Sequence, residues 1–501
     1  MDKSQAREIL KEYQRRKARK DKRDRGQDCL LSFIEYVKDD YVASWHHKAL
    51  CDRLSKLKHE KSKRLIISVP PQRGKSEIVS RKLGIWWLGN FPKAKIIMAS
   101  YSAELSNSFN RDAQKTIGED SYRDIFPDMV TGHDDRRLTL RGNELETSKG
   151  GRLYSVGVGG TTTGKSAGSV GKDAEAGLFI IDDPIKDLKE AFSETTRESV
   201  KQWYQAVVST RIHGYSHVIV MHTRWHSDDL TGWLLENDKD DTWEVLSFPE
   251  LGYDPDYPNE YDPRTSLDEP LWPSEKGDYD ALMKVKADVG EYVWAALFQN
   301  KPRIEGGNII KDHWIKYYTS LPFEPRNLRS SHFVQGWDLT FKETTKGSFV
   351  VGATFIRWEG DFYLVDFYRD RVDIVDTMDA MESMAKRWPK CRQILVEEKA
   401  NGSAILSLLR KKVKGMIPVL PRGSKDERLV QVAPIFESGR VFLPSVANYG
   451  KHGRIDDIVN ELTAFPSAPN DDIVDCFSMI LDRFGELKGK RHLEAMAKGI
   501  F

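Results

Sequence analysis

The sequence predicts two α/β domains joined by an irregular connector, and three observations support this fold class. Short β-branched runs alternate with helix-like stretches between residues 30 and 230, and a second alternation begins near His332. Between them, residues 252–273 are rich in Pro, Asp and Tyr, which is typical of an irregular connection. Continuous apolar strands separated by helical patterns indicate a mainly parallel sheet that is covered on both faces.

The composition is that of a globular protein. The chain has 501 residues, of which 39% are hydrophobic and 31% are charged, with 77 basic and 76 acidic side chains. These values exclude a disordered or fibrous protein, and no apolar run approaches the roughly 18 residues of a membrane-spanning helix. The N-terminus is too charged for a secretory signal. The four cysteines form no C-x-x-C pair, so we expect reduced thiols in a cytosol-like compartment.

The predicted strands give the order of elements. In the first domain the strand predictions are Arg64–Val69, Lys95–Ser100, Leu178–Asp182 and His217–Met221. In the second domain they are Phe333–Asp338, Ser348–Ile356, Phe362–Phe367, Gln393–Glu397 and Met416–Leu420, followed by a helix over Asp472–Phe484. We predict domains at 31–250 and 331–485, a basic segment at 1–30, a linker region at 251–330 and a tail at 486–501.

The N-terminal segment is strongly basic. Residues 1–26 carry eleven Lys and Arg side chains against five acids. One interpretation is a solvated, helical tail, and the other is a contact to the phosphate backbone of a nucleic acid without sequence preference. Both interpretations stay open, and the near-zero net charge does not argue against a polyanionic partner.

Two segments resemble a phosphate-binding loop, which needs a strand, inward-pointing N–H groups, a Lys and a Ser or Thr. Residues 159–166 match G-x-x-x-x-G-K-[ST] literally, with Lys165 as the lysine. Val69–Ser76 lacks the first Gly but lies between a strand pattern and an amphipathic helix pattern. We prefer this second segment, because three glycines after residue 166 disfavour a helix there. Residues 159–166 are then expected to be a mobile loop near DNA or nucleotide.

Two acids follow the next buried strand pattern. Asp182 and Asp183 would emerge at the ligand-binding edge of a parallel sheet. There Asp182 is expected to hold Mg²⁺ through water, and Asp183 to orient or deprotonate the attacking water. The alternative is a capped strand end before Pro184, but the presence of Lys75 upstream favours the functional interpretation.

A further strand ends in polar residues. Thr223 or Arg224 is a candidate sensor of the γ-phosphate at the sheet edge. His222 and His226 have a spacing that suits zinc on a helix, but no Glu lies between them and the segment is typical of a strand and a turn. A metal role for these histidines is therefore disfavoured.

Acidic residues recur at the strand ends and at the last helix of the second domain. They are Asp338, Glu397 and Glu398 after strands, and Asp471, Asp472 and Asp475 at the helix. Converging carboxylates repel one another unless a divalent cation neutralises them, and oxygen-only ligands suit Mg²⁺ or Mn²⁺. Two such ions support phosphodiester cleavage. Each acid alone has a structural explanation, such as N-capping, but their order favours an RNase H-like nuclease.

With these motifs in place, the sequence resembles the large terminase subunits of tailed bacteriophages and prophages. The resemblance covers residues 30–485 approximately. It implies a P-loop ATPase motor that packages double-stranded viral DNA, and a two-metal endonuclease that cuts concatemers. The segments that carry it are Val69–Ser76, Ile180–Pro184, Thr223–His226, Val396–Gly402, Phe436–Pro444 and Asn470–Asp472.

For the motor, the resemblance implies a role for each matching residue. Asp182 would be the Mg²⁺ acid, and Asp183 the catalytic acid at a position where the family usually has Glu. Arg73 is a candidate γ-phosphate contact, with an arginine of a neighbouring subunit as the alternative. Thr223 and Arg224 would couple hydrolysis to movement. The nucleotide would be bound by Gln72, Arg73, Gly74, Lys75 and Ser76, with adenine contacts near Trp45, His46 and His47 and with Ser76 on the metal.

For the nuclease, the resemblance implies Asp338, Glu397 and Asp471 as the catalytic, metal-binding triad. Asp472, Asp475 and Glu398 stay open as alternatives. The implied cofactors are ATP and Mg²⁺, with Mn²⁺ as an alternative ion for the nuclease.

The resemblance also implies double-stranded DNA, a portal protein and a small terminase subunit as partners. We expect a homo-oligomeric ring on the portal, a monomer in isolation, no membrane association, and a location in the host bacterial cytoplasm during virion assembly. Two alternatives remain, a helicase-like translocase and nuclease of repair or restriction, and a catalytically inactive, DNA-binding prophage relic. The intact motifs count against the relic.

Overall fold

Two sheets, one in each part of the chain, organise the computed structural model. It describes residues 3–136, 138–160, 164–168, 175–302, 308–339, 349–397, 413–421, 423–445 and 454–485. The chain divides into a first unit of residues 1–281 and 296–302 and a second unit of residues 282–295 and 303–501. The segment 251–330 is thus shared between the units, and the functional domain limits stay a prediction.

Among its described residues, the first unit contains eight strands, most of them separated by helices. The strands are β1 (Arg64–Ser68), β2 (Lys95–Ser100), β3 (Leu140–Arg141), β4 (Glu144–Glu146), β5 (Arg152–Gly157), β6 (Leu178–Asp182), β7 (His217–His222) and β8 (Trp243–Ser247). The α-helices are α1 (Lys3–Arg25), α2 (Leu30–Val37), α3 (Trp45–Lys56), α4 (Gly84–Asn90), α5 (Ala103–Ile117), α6 (Asp120–Arg123), α7 (Leu188–Phe192), α8 (Glu194–Trp203), α9 (Ser209–Arg211), α10 (Leu230–Glu236) and α11 (Pro273–Lys276). Wider π-helical turns occur at Glu77–Leu83 and Tyr204–Val208.

The first sheet has the strand order β3-β4-β5-β2-β6-β7-β1-β8. All neighbours from β5 to β8 pair in parallel, whereas β3 and β4 pair antiparallel at one edge. The central strands β6 and β7 are buried along their whole length, because helices cover both faces. This arrangement confirms the predicted parallel sheet, and it brings the carboxyl ends of β1, β6 and β7 to one edge.

The second unit is built on a mixed sheet. Its strands are β9 (Lys316–Tyr318), β10 (Phe333–Asp338), β11 (Val350–Trp358), β12 (Asp361–Asp370), β13 (Ile394–Glu397), β14 (Met416–Val419) and β15 (Val441–Pro444). Helices α12 (Tyr279–Val289), α13 (Glu291–Val293), α14 (Ile374–Arg387), α15 (Lys425–Glu437), α16 (Arg454–Ala464) and α17 (Asp472–Gly485) complete the α-helices of the described chain. The strand order is β14-β13-β10-β11-β12-β15-β9, with β10, β11 and β12 antiparallel and β13 parallel to β10.

Close packing of α17 on this sheet fixes the position of the helix. A Cβ atom added to Gly336 in β10 would lie 2.5 Å from Ile480 Cγ1, so only glycine allows this approach. Cys476 donates a hydrogen bond from Sγ to the Gly336 carbonyl at 3.3 Å. Phe477 packs edge-on against Phe355 with ring centroids 5.0 Å apart. These contacts hold the first turn of α17 next to the end of β10.

Within the described ranges, no helix combines the length and the apolar character that a bilayer-spanning segment needs.

Candidate functional site

The loop after β1 has a left-handed backbone conformation at two positions. Gln72 and Gly74 have positive φ angles of 58° and 82°, which place both in the left-handed region. A Cβ atom at Gly74 would lie 2.3 Å from His47 Nε2, so any larger residue is excluded there. The helical segment that starts at Lys75 continues through Glu77–Leu83 into α4. The predicted order of strand, loop and helix is confirmed.

Lys75 lies between the ends of two central strands. Its Nζ donates to Thr223 Oγ1 at 2.8 Å and forms an ion pair with Asp183 Oδ2 at 2.8 Å. Burial disfavours the charged ammonium, but the carboxylates of Asp183 and Asp182 outweigh it and raise the pKa of Lys75. The loop therefore presents a buried, charged lysine to the sheet edge, as binding of a nucleotide phosphate requires.

Asp182 fits the role of a metal-binding acid. Its Oδ2 accepts a hydrogen bond from Ser80 Oγ at 2.5 Å, while its Oδ1 is buried and has no hydrogen-bond partner among the described residues. Burial, followed by the charge of Asp183, raises the pKa of Asp182, whereas the charge of Lys75 and the hydrogen bond from Ser80 act in the opposite direction. A buried carboxylate oxygen without a donor, beside a serine hydroxyl, suits Mg²⁺ or its water shell.

Asp183 connects β6, β7 and the lysine. Its Oδ1 accepts from the Thr223 backbone N–H at 2.6 Å, and its own N–H donates to the Met221 carbonyl at 2.9 Å. Asp183 has a φ angle of 45°, a conformation that Asp tolerates better than most residues. Burial alone would raise the pKa of Asp183, but Lys75 and His222 lower it overall. The group is an ionised carboxylate, able to accept a hydrogen bond from water.

The segment after β7 connects the lysine to a helix. While Thr223 contacts Lys75, the next residue, Arg224, donates from Nε to Asp229 Oδ2 at 2.7 Å. Asp229 is the N-cap of α10 and accepts from the Gly232 N–H at 2.9 Å. A continuous set of contacts thus runs from the loop to α10.

Of the two histidines near the end of β7, His222 is buried and His226 is half-buried. Burial lowers the pKa of His222 and lowers that of His226 to about 4, so both rings are neutral near pH 7. Neither belongs to a group of three or more possible ligands in the part of the chain that the structure describes. The disfavoured zinc interpretation gains no support.

Arg73 forms a buried ion pair with Glu250, and its contact with a γ-phosphate stays a prediction. Its Nε donates to Glu250 Oε2 at 2.8 Å, and the side chains of Arg73 and Glu250 are 6% and 0% exposed. Burial raises the pKa of Glu250 despite the opposing charge of Arg73.

An aromatic group borders the loop, where adenine contacts were expected. The rings of His46 and His47 lie 4.1 Å apart, and their Nε2 atoms lie 3.1 and 3.0 Å from the Arg73 carbonyl. Trp45 donates from Nε1 to the Leu271 carbonyl at 3.1 Å. Burial lowers the pKa of His46 to about 3 and also lowers that of His47. Trp272, whose ring lies 4.7 Å from that of His47, was not predicted to belong to this group.

The literal phosphate-loop match lies elsewhere in the first unit. Lys165 pairs with Glu144 Oε1 at 2.6 Å and lies over the Tyr154 ring at 4.8 Å. Residues 164–168 form a turn and a bridge rather than a helix, while residues 161–163 and 169–174 lie outside the described chain. Lys165 is thus held by Glu144 in the described part of this segment, and the preference for Lys75 stays a prediction.

Three buried carboxylates converge in the second unit. Asp338 and Glu397 end the parallel neighbours β10 and β13, and Asp475 lies in the first turn of α17. One oxygen from each lies within 4.8 Å of the others, and the residues are 1%, 3% and 2% exposed. Among the described residues, no other group of acids, histidines or cysteines has this geometry. The oxygen-only donor set suits Mg²⁺ or Mn²⁺.

The triad expected from the sequence differs in its third member. Because α17 begins at Asp472, Asp471 precedes the helix, and its carboxylate is 45% exposed and pairs with Lys425 Nζ at 2.6 Å. Asp472 points to the Phe349 N–H, which donates to it at 3.0 Å, and burial raises the pKa of Asp472. The structure therefore brings Asp475, not Asp471, to Asp338 and Glu397. Glu398 lies outside the described residues.

Two basic residues that the sequence did not single out contact the triad. On α15, Lys425 Nζ lies 2.7 Å from Asp475 Oδ2, and Arg428 Nη2 lies 2.5 Å from Asp475 Oδ1. Arg428 Nη1 also approaches Glu397 Oε1 at 3.7 Å. Burial raises the pKa of Asp475, and both cations act in the opposite direction. Their spacing of three residues could have indicated this pair from the sequence, because residues three apart lie on one face of a helix.

A buried acid positions the first turn of α17. Glu461 Oε1 accepts from the N–H groups of Ile473 at 2.6 Å and Val474 at 3.4 Å, and its Oε2 pairs with Arg369 at 2.9 Å. These N–H groups have no partner within the helix, so a carboxylate at this end also interacts well with the helix dipole. Glu461 thereby orients the turn that carries Asp475.

Glu461→Ala is expected to loosen this turn. It leaves two buried N–H groups without an acceptor, which costs about 1–3 kcal/mol of local stability. Hydrogen–deuterium exchange should show faster exchange of the Ile473 and Val474 amides. The matched control is Glu382→Ala, which removes a surface pair with Lys386 at 2.8 Å and should leave those amides unchanged. Equal exchange in both variants would contradict the capping role.

Comparisons with known proteins cover both units. Residues 66–269 match the family "Terminase large subunit, T4likevirus-type, N-terminal", and residues 335–484 match the "Terminase RNaseH-like domain". The second match confirms the RNase H-like class that the sequence predicted. No curated protein matches the sequence.

Several solved structures are similar to the chain at low identity. The large terminase of a thermophilic bacteriophage is 11% identical with a TM-score of 0.45, over 87% of this chain and 98% of that chain. The HK97 bacteriophage large terminase is 11% identical with a TM-score of 0.37, over 92% and 99%. The large terminase nuclease of thermophilic phage G20c with bound magnesium is 13% identical with a TM-score of 0.27, over 35% and 97%.

Proposed function

Because the chain belongs to the terminase large-subunit family, we propose that it is the motor and the nuclease of viral DNA packaging. In this proposal, ATP hydrolysis in the first unit drives double-stranded DNA into a procapsid, and a metal-dependent endonuclease in the second unit cuts concatemeric DNA. The observation that carries the proposal is that one chain combines the buried Lys75–Asp183–Thr223 group with three convergent carboxylates.

In the motor, the loop residues 72–76 bind the nucleotide phosphates, with Lys75 as their cation. Ser76 and Asp182 hold Mg²⁺, which neutralises phosphate charge when it is bound. Asp183 orients the attacking water and accepts its proton. A phosphate that binds Lys75 competes with Asp183 and Thr223 for the ammonium. A shift of Thr223 is transmitted through the backbone to its neighbour Arg224, which contacts the N-cap of α10.

In the nuclease, Asp338, Glu397 and Asp475 hold Mg²⁺ or Mn²⁺. Such ions supply an activated water and stabilise the attacking and leaving oxygens of the phosphodiester. The chain's own contribution is rigid placement, because two strand ends and one helix turn fix the carboxylates. Burial excludes bulk water, which strengthens electrostatic interactions at the cut.

The expected partners follow from the family. We propose double-stranded DNA, a portal protein and a small terminase subunit as partners, and a ring of copies on the portal in the host bacterial cytoplasm. The isolated chain is expected to be monomeric.

The proposal is tested by ATP turnover and plasmid digestion with the purified chain, with Mg²⁺ and with Mn²⁺. DNA-stimulated turnover together with cutting of both strands supports a motor-nuclease. Separation of DNA strands would favour the helicase-like alternative, and loss of both activities would favour the inactive relic.

The basic helix α1 is proposed to retain DNA. Its C-terminal half is fixed by ion pairs of Arg19 with Asp39 at 2.7 Å and Lys22 with Glu35 at 3.1 Å. Deleting residues 1–18 leaves these pairs in place and removes six basic side chains. We expect DNA affinity to fall about threefold or more at roughly 50 mM salt and to match the full chain at high salt, because phosphate contacts are screened. DNA affinity is measured by filter binding. A loss of affinity that does not depend on salt would indicate that α1 has only a structural role.

A further inference from the structure

Both carboxylate oxygens of Asp475 have a basic partner at 2.7 Å or less. Lys425 contacts Oδ2 at 2.7 Å, and Arg428 contacts Oδ1 at 2.5 Å. Both bases come from one face of α15, where they lie one turn apart. A metal ion at Asp475 must therefore share an oxygen with one of these cations or displace it.

Arg428 lies deeper in the cluster than Lys425. Its side chain is 15% exposed, compared with 33% for that of Lys425, and its guanidinium reaches both Asp475 and Glu397. Lys425 instead connects Asp475 to the outer residue Asp471. The positive charge of Arg428 thus lies where a divalent ion bridging Asp475 and Glu397 would lie.

We propose that Arg428 is an internal counter-ion that competes with divalent metal for Asp475 and Glu397. The inference rests on the proposed nuclease centre. In the metal-free protein, the guanidinium neutralises buried carboxylates that would otherwise repel one another. A divalent ion takes over that task and repels the guanidinium, because two cations a few ångströms apart interact unfavourably.

This competition has two linked consequences. Removing the charge at residue 428 leaves the metal-free carboxylates uncompensated, so the metal-free protein becomes less stable. The same removal strengthens metal binding, because the ion no longer displaces a cation. An arginine that only supports packing would lower stability equally with and without metal and would leave metal affinity unchanged.

The test measures Mn²⁺ binding to the full chain without DNA, by calorimetry and by electron paramagnetic resonance of free Mn²⁺. Arg428→Gln should bind about tenfold more tightly than the natural chain, a modest size for one charge at this distance. Arg428→Lys, which keeps the charge, should bind nearly as the natural chain does. Arg387→Gln is the control, because it removes an exposed pair with Asp366 at 2.8 Å in the same unit. The Mn²⁺ ions assigned to the three-acid centre are those that bind to the natural chain but no longer bind to Asp338→Asn.

Thermal unfolding supplies a second readout. Arg428→Gln should have a lower midpoint than the natural chain without metal and recover most of that loss in Mn²⁺. Unchanged or weaker Mn²⁺ binding in Arg428→Gln would overturn the inference, and so would an equal loss of midpoint with and without Mn²⁺. If Arg428→Gln does not fold without metal, recovery of folding in Mn²⁺ would support the inference and failure to fold in Mn²⁺ would overturn it. If no chain binds an Mn²⁺ ion that Asp338→Asn loses, the proposed metal centre itself fails.

Discussion

Replacing Lys75 by alanine is expected to abolish DNA-stimulated ATP turnover and to leave Mn²⁺-dependent nicking intact. The ammonium is the buried cation of the loop, and its loss leaves Asp183 without its partner at 2.8 Å and the nucleotide without its lysine. Loss of one group that stabilises developing charge costs about 100-fold or more in rate. A phosphate-release assay with linear DNA measures the effect.

The matched control is Lys165→Ala. This variant removes the lysine of the literal sequence match, whose ammonium instead pairs with Glu144 at 2.6 Å. Its turnover should stay close to that of the natural chain. If Lys165→Ala lost turnover and Lys75→Ala kept it, the assignment of the phosphate loop would be reversed. Loss of nicking in Lys75→Ala would show that the two activities are not separable in the way proposed.

Asp338→Asn is expected to remove DNA cleavage without changing ATP turnover. Asp338 is 1% exposed at the end of β10, and its carboxylate is part of the only three-acid group in the described chain. An amide keeps the shape but removes the charge that divalent ions require, so cutting should fall about 100-fold or more. Plasmid digestion in Mg²⁺ and Mn²⁺ measures the loss.

Two further variants decide which helix acid takes part. Asp475→Asn should lose cleavage to the same extent, whereas Asp471→Asn should keep most of it, because the Asp471 carboxylate is exposed and pairs with Lys425. Loss of cleavage in Asp471→Asn with full activity in Asp475→Asn would restore the triad that the sequence favoured. Continued cutting by Asp338→Asn would refute the metal centre.

Local patterns were sufficient for the elements that carry most of the chemistry. The apolar runs that end at Ser68 and Asp182 are buried strands of the first sheet, and their parallel orientation places both carboxyl ends at one edge. The run that ends at Glu397 is a buried strand of the second sheet. Strand β5 escaped prediction because its run Arg152–Gly157 mixes polar and apolar residues at the side of the sheet where parallel pairing gives way to antiparallel pairing.

The choice among the helix acids depended on facts that no short pattern contains. Asp471 and Asp475 are four residues apart, which predicts one helix face, but the helix starts only at Asp472. Contacts between distant segments were equally inaccessible. Arg428 contacts Asp475, which lies 47 residues later in the sequence, and Arg73 contacts Glu250, which lies 177 residues later. Such pairs depend on how helices pack on the sheet, which spacing along the chain does not specify.

The contact of His46 and His47 with the Arg73 carbonyl affects the entropy cost of the proposed nucleotide binding. These rings hold the loop backbone in its curved form through the Arg73 carbonyl and the close approach of His47 to Gly74. Ordering one residue of free backbone costs about 1–2 kcal/mol in conformational entropy. In the proposed motor, a loop held in this form avoids that cost at each cycle, so the binding energy of each incoming nucleotide remains available for work on the rest of the unit.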